Sequence, residues 1–197
     1  MLTKQQGSTL IISLIMLLLL TIVGMAGMRM TGLEERMAGN FRNHALAFQA
    51  AEAALAEAEA YVENTAFKLT DFQTGCSGSQ CFTSSCANGL CFNGTFPSGT
   101  TTPVKDCLVG TTKPWESWAL WADSSKTRAA TGLTGTSATA KYIVEFRCYV
   151  LKDPSFNSPD KTVDAQWSLA FRITALGKGG TDDAQSMLQT TYKKLNF

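Results

Sequence analysis

The chain has 197 residues, and 17 lysines and arginines stand against 16 acidic residues, for a net charge of +1. This length suits one globular unit with an anchor, and the balanced charge excludes the strong basic field that nucleic-acid binding requires. With one histidine, His44, and no P-loop, nucleophile-elbow or metalloprotease motif, we expect no enzyme, no cofactor and no metal site.

The first predicted element is an apolar helix behind a polar leader, residues 1–7, which ends in Gly7. The 21 residues 8–28 carry no charge, and at ~1.5 Å per residue they span roughly the ~30 Å core of a bilayer. We therefore expect a retained membrane helix at residues 8–30. A cleaved secretory signal is the alternative, but its apolar region is usually only about 7–15 residues long. Lys4 favours a cytoplasmic N-terminus.

The helical pattern continues past the membrane segment. Apolar residues recur every three or four positions, and "ALAFQAAEAALAEAEAYV" (45–62) is dense in the strong helix formers alanine, leucine and glutamate. One helix is thus predicted from about Thr9 to about Val62, on the order of 80 Å long. Its amphipathic half, residues 31–64, must lie on a folded head. The stripe expected to contact that head comprises Leu33, Met37, Phe41, Phe48, Leu55 and Val62.

Residues 65–125 form a region rich in glycine, serine, threonine and cysteine, which predicts a long loop or a set of short ribbons over the helix. Disulfides are expected because such a loop has no core of its own and the cysteines indicate an oxidising compartment. A four-cysteine zinc site is the alternative, although zinc sites more often use C-x2-C pairs. The pairing stays open, but if the first four pair among themselves, the last two are left for each other. The six cysteines are Cys76, Cys81, Cys86 and Cys91, at C-x4-C intervals, then Cys107 and Cys148.

The segment "KPWESWALWADSS" (113–125) places Trp115, Trp118 and Trp121 three residues apart, as in a short helical turn. Two interpretations stay open. The tryptophans are either anchors buried where helix and sheet meet, or an exposed aromatic patch that docks a neighbouring subunit or adhesin.

Residues 126–197 predict an antiparallel sheet of three strands, at 141–152, 163–176 and 184–195, with a glycine-rich hairpin turn at 177–183. Alternation places the apolar residues of the first two strands on one face, which the helix is expected to cover. The fold class is therefore α+β. The predicted buried residues are Val144, Phe146, Cys148 and Val150 in the first strand, and Val163, Ala165, Trp167, Leu169, Phe171, Ile173 and Ala175 in the second.

The leader ending in Gly7 resembles that of type IV prepilins, and "LEERMAGN" (33–40) and "AFQAAEAAL" (47–55) resemble the N-terminal region of PilX-type minor pilins of bacterial type IV pili. "FRITALGKGGTDDAQSMLQTTYKKL" (171–195) is similar in style to the last hairpin of that family. The resemblance implies the type IV pilin fold, cleavage after Gly7 by prepilin peptidase and methylation of the new N-terminus.

The same resemblance implies a single-pass inner-membrane protein of a Gram-negative bacterium, with a periplasmic head, which later enters the pilus on the cell surface. The implied partners are other minor pilins, the major pilin and a tip adhesin, and the implied function is to initiate assembly and support adhesion or twitching motility. A type II secretion pseudopilin or a DNA-uptake minor pilin is the alternative. A membrane-tethered thiol or metal-binding envelope protein is a third hypothesis, of a different class.

One position departs from the major pilins of the resembled class, which carry a glutamate at the fifth mature residue. Counting from Ser8, that position is Ile12. A carboxylate inside the bilayer costs roughly 2.5–3.5 kcal/mol unless it is paired, and a subunit with nothing above it lacks the N-terminal amine that pairs with it. The isoleucine therefore favours a position near the filament tip, and a tolerated substitution in an internal subunit is the alternative.

Removal of the leader is directly testable. Mass spectrometry of the protein from cells that contain prepilin peptidase is expected to find an N-methylated Ser8 as the first residue, and cells without the peptidase are expected to retain the full leader. A mature protein that begins near Met28 would instead identify a cleaved secretory signal and contradict the prediction.

Overall fold

The computed structural model of the protein describes residues 8–73, 75–92, 113–155 and 166–195. Two compact units divide the chain, Met1–Arg42 and Asn43–Phe197. The helices of the described residues are α1 (Ser8–Asn64) and α2 (Trp118–Ala122), with short 3-10 helices at Leu69–Phe72, Ala87–Gly89 and Pro114–Glu116. The strands are β1 (Leu90–Cys91), β2 (Arg128–Ala129), β3 (Lys141–Leu151), β4 (Trp167–Lys178) and β5 (Gln185–Lys194).

The first unit holds the apolar part of α1. Its large apolar side chains, from Leu10 to Phe41, are 49% to 79% exposed. By length and composition, α1 is the one helix of the described residues that is suited to cross a membrane. The predicted long helix is confirmed, and its bounds lie within two residues of those expected from the sequence.

The second unit contains a mixed sheet in which β3, β4 and β5 form the predicted antiparallel meander. The two-residue strands β1 and β2 both pair with β3, the first in parallel and the second antiparallel. Sequence periodicity did not predict them because two residues are too few to show alternation. The α+β class is confirmed.

A bulge in β3 changes which residues reach the core. Val144 and Phe146 lie in the core cluster as predicted, but the register shifts between Phe146 and Cys148. Cys148 is buried, but it pairs with Ala170 and therefore lies on the opposite face from the one predicted. Beyond this bulge Tyr149 joins the core cluster, whereas Val150 is partly exposed. The prediction for Val150 was wrong because one extra residue reverses the alternation that follows it.

The predicted alternation of β4 is confirmed over the described residues. Trp167, Leu169, Phe171, Ile173 and Ala175 are all at most 5% exposed and belong to one core cluster. Val163 and Ala165 lie outside the described residues.

An alanine face of α1, not the predicted stripe of large residues, covers the sheet. Val62 is buried and Leu55 is partly buried against the core, but Phe48 is 43% exposed. The prediction was therefore wrong for Phe48. Leu33, Met37 and Phe41 belong to the first unit, and for them the contact with the head stays a prediction. Small side chains bring the helix backbone close to the sheet, which large side chains prevent. The residues of this face, each at most 2% exposed, are Ala47, Ala50, Ala51, Ala54, Ala58 and Val62.

Gly177, near the end of β4, sits directly against this alanine face. A Cβ atom there would overlap the carbonyl oxygen of Ala47 and lie 2.5 Å from the backbone nitrogen of Ala51. Gly179 comes equally close to the carbonyl oxygen of Asn43. The glycines of the predicted hairpin therefore serve close packing against the helix as well as the turn itself.

We expect Gly177→Ala to lower the free energy of unfolding by about 1–3 kcal/mol or more, because the added methyl group meets helix backbone that has no rotamer to change. Denaturant unfolding of the detergent-solubilised protein, followed by near-UV circular dichroism, measures this loss.

Gly132→Ala is the matched control. A Cβ atom at Gly132 has its nearest neighbour, Thr139 Oγ1, at 3.9 Å, so we expect a change within about 0.5 kcal/mol. Equal stability of the two variants would show that the contact between β4 and α1 is not tight.

Candidate functional site

The N-terminal part of α1 carries the candidate processing and assembly residues. Gly7 lies outside the described residues, and Ser8 is the first residue of the helix. Ile12 is 57% exposed, among neighbours that are equally apolar. This arrangement offers a hydrocarbon surface to lipid or to other apolar helices.

Ser13, Thr21 and Thr31 place hydroxyl groups on this surface, and each of the three is satisfied within the helix. Ser13 Oγ donates to the carbonyl oxygen of Leu10 at 2.9 Å, and Thr21 Oγ1 donates to that of Leu18 at 2.7 Å. Thr31 Oγ1 donates to the carbonyl oxygen of Gly27 at 3.1 Å. The helix therefore brings no unsatisfied hydroxyl from these residues into an apolar environment.

Disulfides close the loop after α1 in two short rings. Cys76 pairs with Cys81, and Cys86 pairs with Cys91. Because these four cysteines bond to one another, they have no thiolates left for zinc or for thiol chemistry, and the hypothesis of a metal or thiol protein loses its site. Cys148 is also disulfide-bonded. Cys107 lies outside the described residues.

The rings hold aromatic side chains in the core. Phe82 and Phe92 are each 3% exposed, and Phe82 contacts Phe67, Phe72 and Phe171 with ring centroids 4.8 to 5.8 Å apart. Aromatic pairs of this kind add about 0.5–1.5 kcal/mol to the burial of their area. The loop is therefore part of the core, although its composition predicted only turns.

The three tryptophans of segment 113–125 have three different environments. Trp121 is 4% exposed, belongs to a cluster on the far face of the sheet, and donates from Nε1 to the carbonyl oxygen of Trp115 at 2.9 Å. Trp115 is half-buried beneath the guanidinium carbon of Arg172, 3.7 Å from the ring centroid. Trp118 is 62% exposed. The interpretation as anchors fits Trp115 and Trp121, and only Trp118 is available to a partner.

Glu145 is a buried charge in β3, although acidic residues are usually exposed. Its side chain is 2% exposed and accepts hydrogen bonds from Arg147 and from Arg172, whose Nη2 lies 2.7 Å from Oε1. Segment 113–125 covers this second face of the sheet and keeps water away from Glu145. The two guanidinium groups compensate its buried carboxylate. The sequence held one signal for this cluster, an acidic residue opposite a basic residue once β3 and β4 are aligned.

The C-terminal end of α1 is held by β5. Lys194, 6% exposed, donates from Nζ to the carbonyl oxygens of Val62 at 2.9 Å and Glu63 at 2.5 Å. These carbonyls belong to the last turn of the helix, which lacks intrahelical donors and has no basic residue of its own. The Tyr192 hydroxyl donates to Glu63 Oε2 at 2.6 Å. This hydrogen bond raises the pKa of Tyr192 to about 12.

Two family models match the chain. The model described as PilX N-terminal matches residues 6–56, and the model described as Type IV pilus assembly protein PilX C-term matches residues 87–194. The second match alone covers more than half of the chain. No curated protein and no solved structure matches it.

The Tyr192–Glu63 hydrogen bond predicts a pH-dependent contribution to stability. Tyr192→Phe is expected to lower the free energy of unfolding by about 1 kcal/mol near neutral pH. Because the pKa rises from 10.0 to about 12 on folding, this contribution is fully present below pH 10 and is lost as the pH rises through about 12. Denaturant unfolding of both proteins at neutral and alkaline pH measures the difference.

Glu63→Gln on the same helix is expected to show a similar loss, and the double variant is expected to lose less than the sum of the two. Glu52→Gln, at an exposed position of α1, serves as the control and should change stability by at most about 0.5 kcal/mol. Additive losses at Glu63 and Tyr192 would contradict a direct interaction.

Proposed function

The chain belongs to the PilX family of type IV pilus minor pilins, and from this premise we propose that it helps to initiate pilus assembly from a position at or near the pilus tip. Membership of the family gives association with other type IV pilus components. The initiating role and the position in the filament are the parts that we propose.

The apolar surface of the first unit supports a role in assembly. A continuous series of exposed leucine, isoleucine and methionine side chains runs along α1 from Leu10 to Met30. In water such a surface is unstable, so it requires lipid before assembly and other helices afterwards. We propose residues 8–30 as the segment for both environments.

Ile12 supports the position at the tip. An internal subunit with a glutamate here pairs that carboxylate with the amine of a neighbour, whereas an unpaired carboxylate costs roughly 2.5–3.5 kcal/mol in the membrane. An apolar residue at this position avoids the cost and suits a subunit without such a neighbour.

The disulfides support a periplasmic head. Cys76–Cys81 and Cys86–Cys91 persist only in an oxidising compartment. Before assembly we therefore place residues 1–7 in the cytoplasm as the leader and the second unit in the periplasm. The proposed partners are prepilin peptidase, the other minor pilins, the major pilin and a tip adhesin, and the proposed outcome is adhesion and twitching motility.

The test is a deletion strain that is complemented with the wild-type gene or with a variant. Deletion is expected to lower the pili recovered by shearing about tenfold or more, and the wild-type gene is expected to restore them. Ile12→Glu is expected to restore several-fold fewer pili, because its carboxylate has no amine partner at the tip.

Ile12→Leu is the matched control and should restore piliation fully. Immunoblots of the inner membrane show whether each variant is inserted in equal amount. If the inserted Ile12→Glu protein supports normal piliation, the position at the tip is wrong. Unchanged piliation in the deletion strain together with a loss of type II secretion would instead identify a pseudopilin.

A further inference from the structure

A groove next to Trp118 lies at one end of the sheet. It has a volume of about 270 Å³ and is formed by α2, the start of β3 and the two strands of the β4–β5 hairpin. The side chains that matter here are Trp118, Lys141, Lys178 and Gln185, all of which line it. All of these residues belong to the second unit.

Trp118 gives the groove an exposed aromatic surface. Its side chain is 62% exposed, whereas Trp121, one helical turn later, is 4% exposed and belongs to the core. Leu120 and Trp121 are the buried residues that anchor α2 on the head. The Trp118 indole is therefore not needed to hold this helix in place. Exposed tryptophans of this kind are common at binding sites, where their flat faces give a large contact area.

The two lysines of the groove already have partners within the head. Lys178 Nζ lies 2.9 Å from Asp182 Oδ1, and Lys141 Nζ donates to the carbonyl oxygen of Trp121 at 2.7 Å. Each ammonium group still has further hydrogens to donate. A strand of nucleic acid is disfavoured, because its binding depends on several cations that are free to neutralise phosphates.

Gln185 supplies an unused acceptor. Its Nε2 donates to the carbonyl oxygen of Asp182 at 2.8 Å, which fixes the orientation of the amide. Its Oε1 is buried and has no hydrogen-bond partner among the described residues. A buried acceptor without a donor is destabilising, and a purely apolar ligand would leave it without one.

We propose that this groove binds one pyranose unit of a carbohydrate. The face of a pyranose that carries C–H groups packs on the Trp118 indole, and its hydroxyl groups both donate to Gln185 Oε1 and accept from the lysines. A sugar is favoured because its hydroxyls serve as donors and acceptors at once, as this mixed lining requires. This proposal goes beyond the role in assembly and does not depend on it.

Saturation-transfer-difference NMR on the full-length protein tests the proposal. The protein is held in dodecylphosphocholine micelles, because detergents with sugar headgroups would compete for the groove. The probes are the methyl pyranosides of glucose, galactose, mannose, N-acetylglucosamine and N-acetylneuraminic acid, each at millimolar concentration. We expect saturation transfer to the ring C–H protons of at least one of them.

Two variants separate the groove from the rest of the surface. Trp118→Ala is expected to weaken binding about tenfold or more, and Gln185→Leu is expected to weaken it several-fold. Leu195→Ala removes a side chain that is 51% exposed but lies past the opposite end of β5, roughly 34 Å away at ~3.4 Å per residue. It is expected to bind within about twofold of the wild type.

The proposal is overturned if none of the pyranosides shows saturation transfer, or if transfer in Trp118→Ala equals that in the wild type. It is also overturned if an oligothymidine strand binds in a Trp118-dependent manner while the pyranosides do not. Circular dichroism of each variant confirms that the fold is retained, and loss of binding in folded Gln185→Leu supports the site independently of Trp118.

Discussion

Close approach between the second half of α1 and the sheet is the constraint on which the head depends. The helix presents alanine where it faces β4, and β4 presents glycine where it meets the helix, so that Gly177 lies against the backbone at Ala47 and Ala51. Neither surface can gain a methyl group without separating the two layers. The aromatic cluster around Phe146 fills the space that remains on the same side of the sheet. The stability of the head thus depends on small residues as much as on large ones.

The opposite face of the sheet is held by a buried ion-pair cluster. There a buried carboxylate, Glu145, is compensated by Arg147 and Arg172, and the Arg172 guanidinium also covers the ring of Trp115. Buried ion pairs stabilise little by themselves, but breaking one leaves a charge that has lost both water and partner. This cluster therefore fixes where the tryptophan segment lies on the sheet, and Trp118 is left on the outside as a consequence of the way in which Trp115 and Trp121 are anchored.

The long helix and the antiparallel meander were predictable from sequence because each rests on a periodicity sustained over ten or more residues. The face of α1 that packs on the sheet was not predictable in this way. A search for large apolar residues selects Phe41 and Phe48, whereas close packing of a helix on a sheet selects alanines. The burial of Tyr149 was not predicted because the bulge in β3 reverses the alternation that follows it. The burial of Glu145 was not predicted because the second face of the sheet is also covered, so alternation no longer separates buried from exposed residues. The pairing of Cys76 with Cys81 depends on the path of the chain, which spacing alone does not determine.

The capping of α1 by Lys194 links the end of the helix to the last strand to be synthesised. β5 follows the other strands in the chain, so the carbonyl groups of Val62 and Glu63 receive their donor only after almost every other part of the head has been translated. Until then these carbonyl groups can be satisfied only by water. Completion of the helix end therefore coincides with completion of the final hairpin.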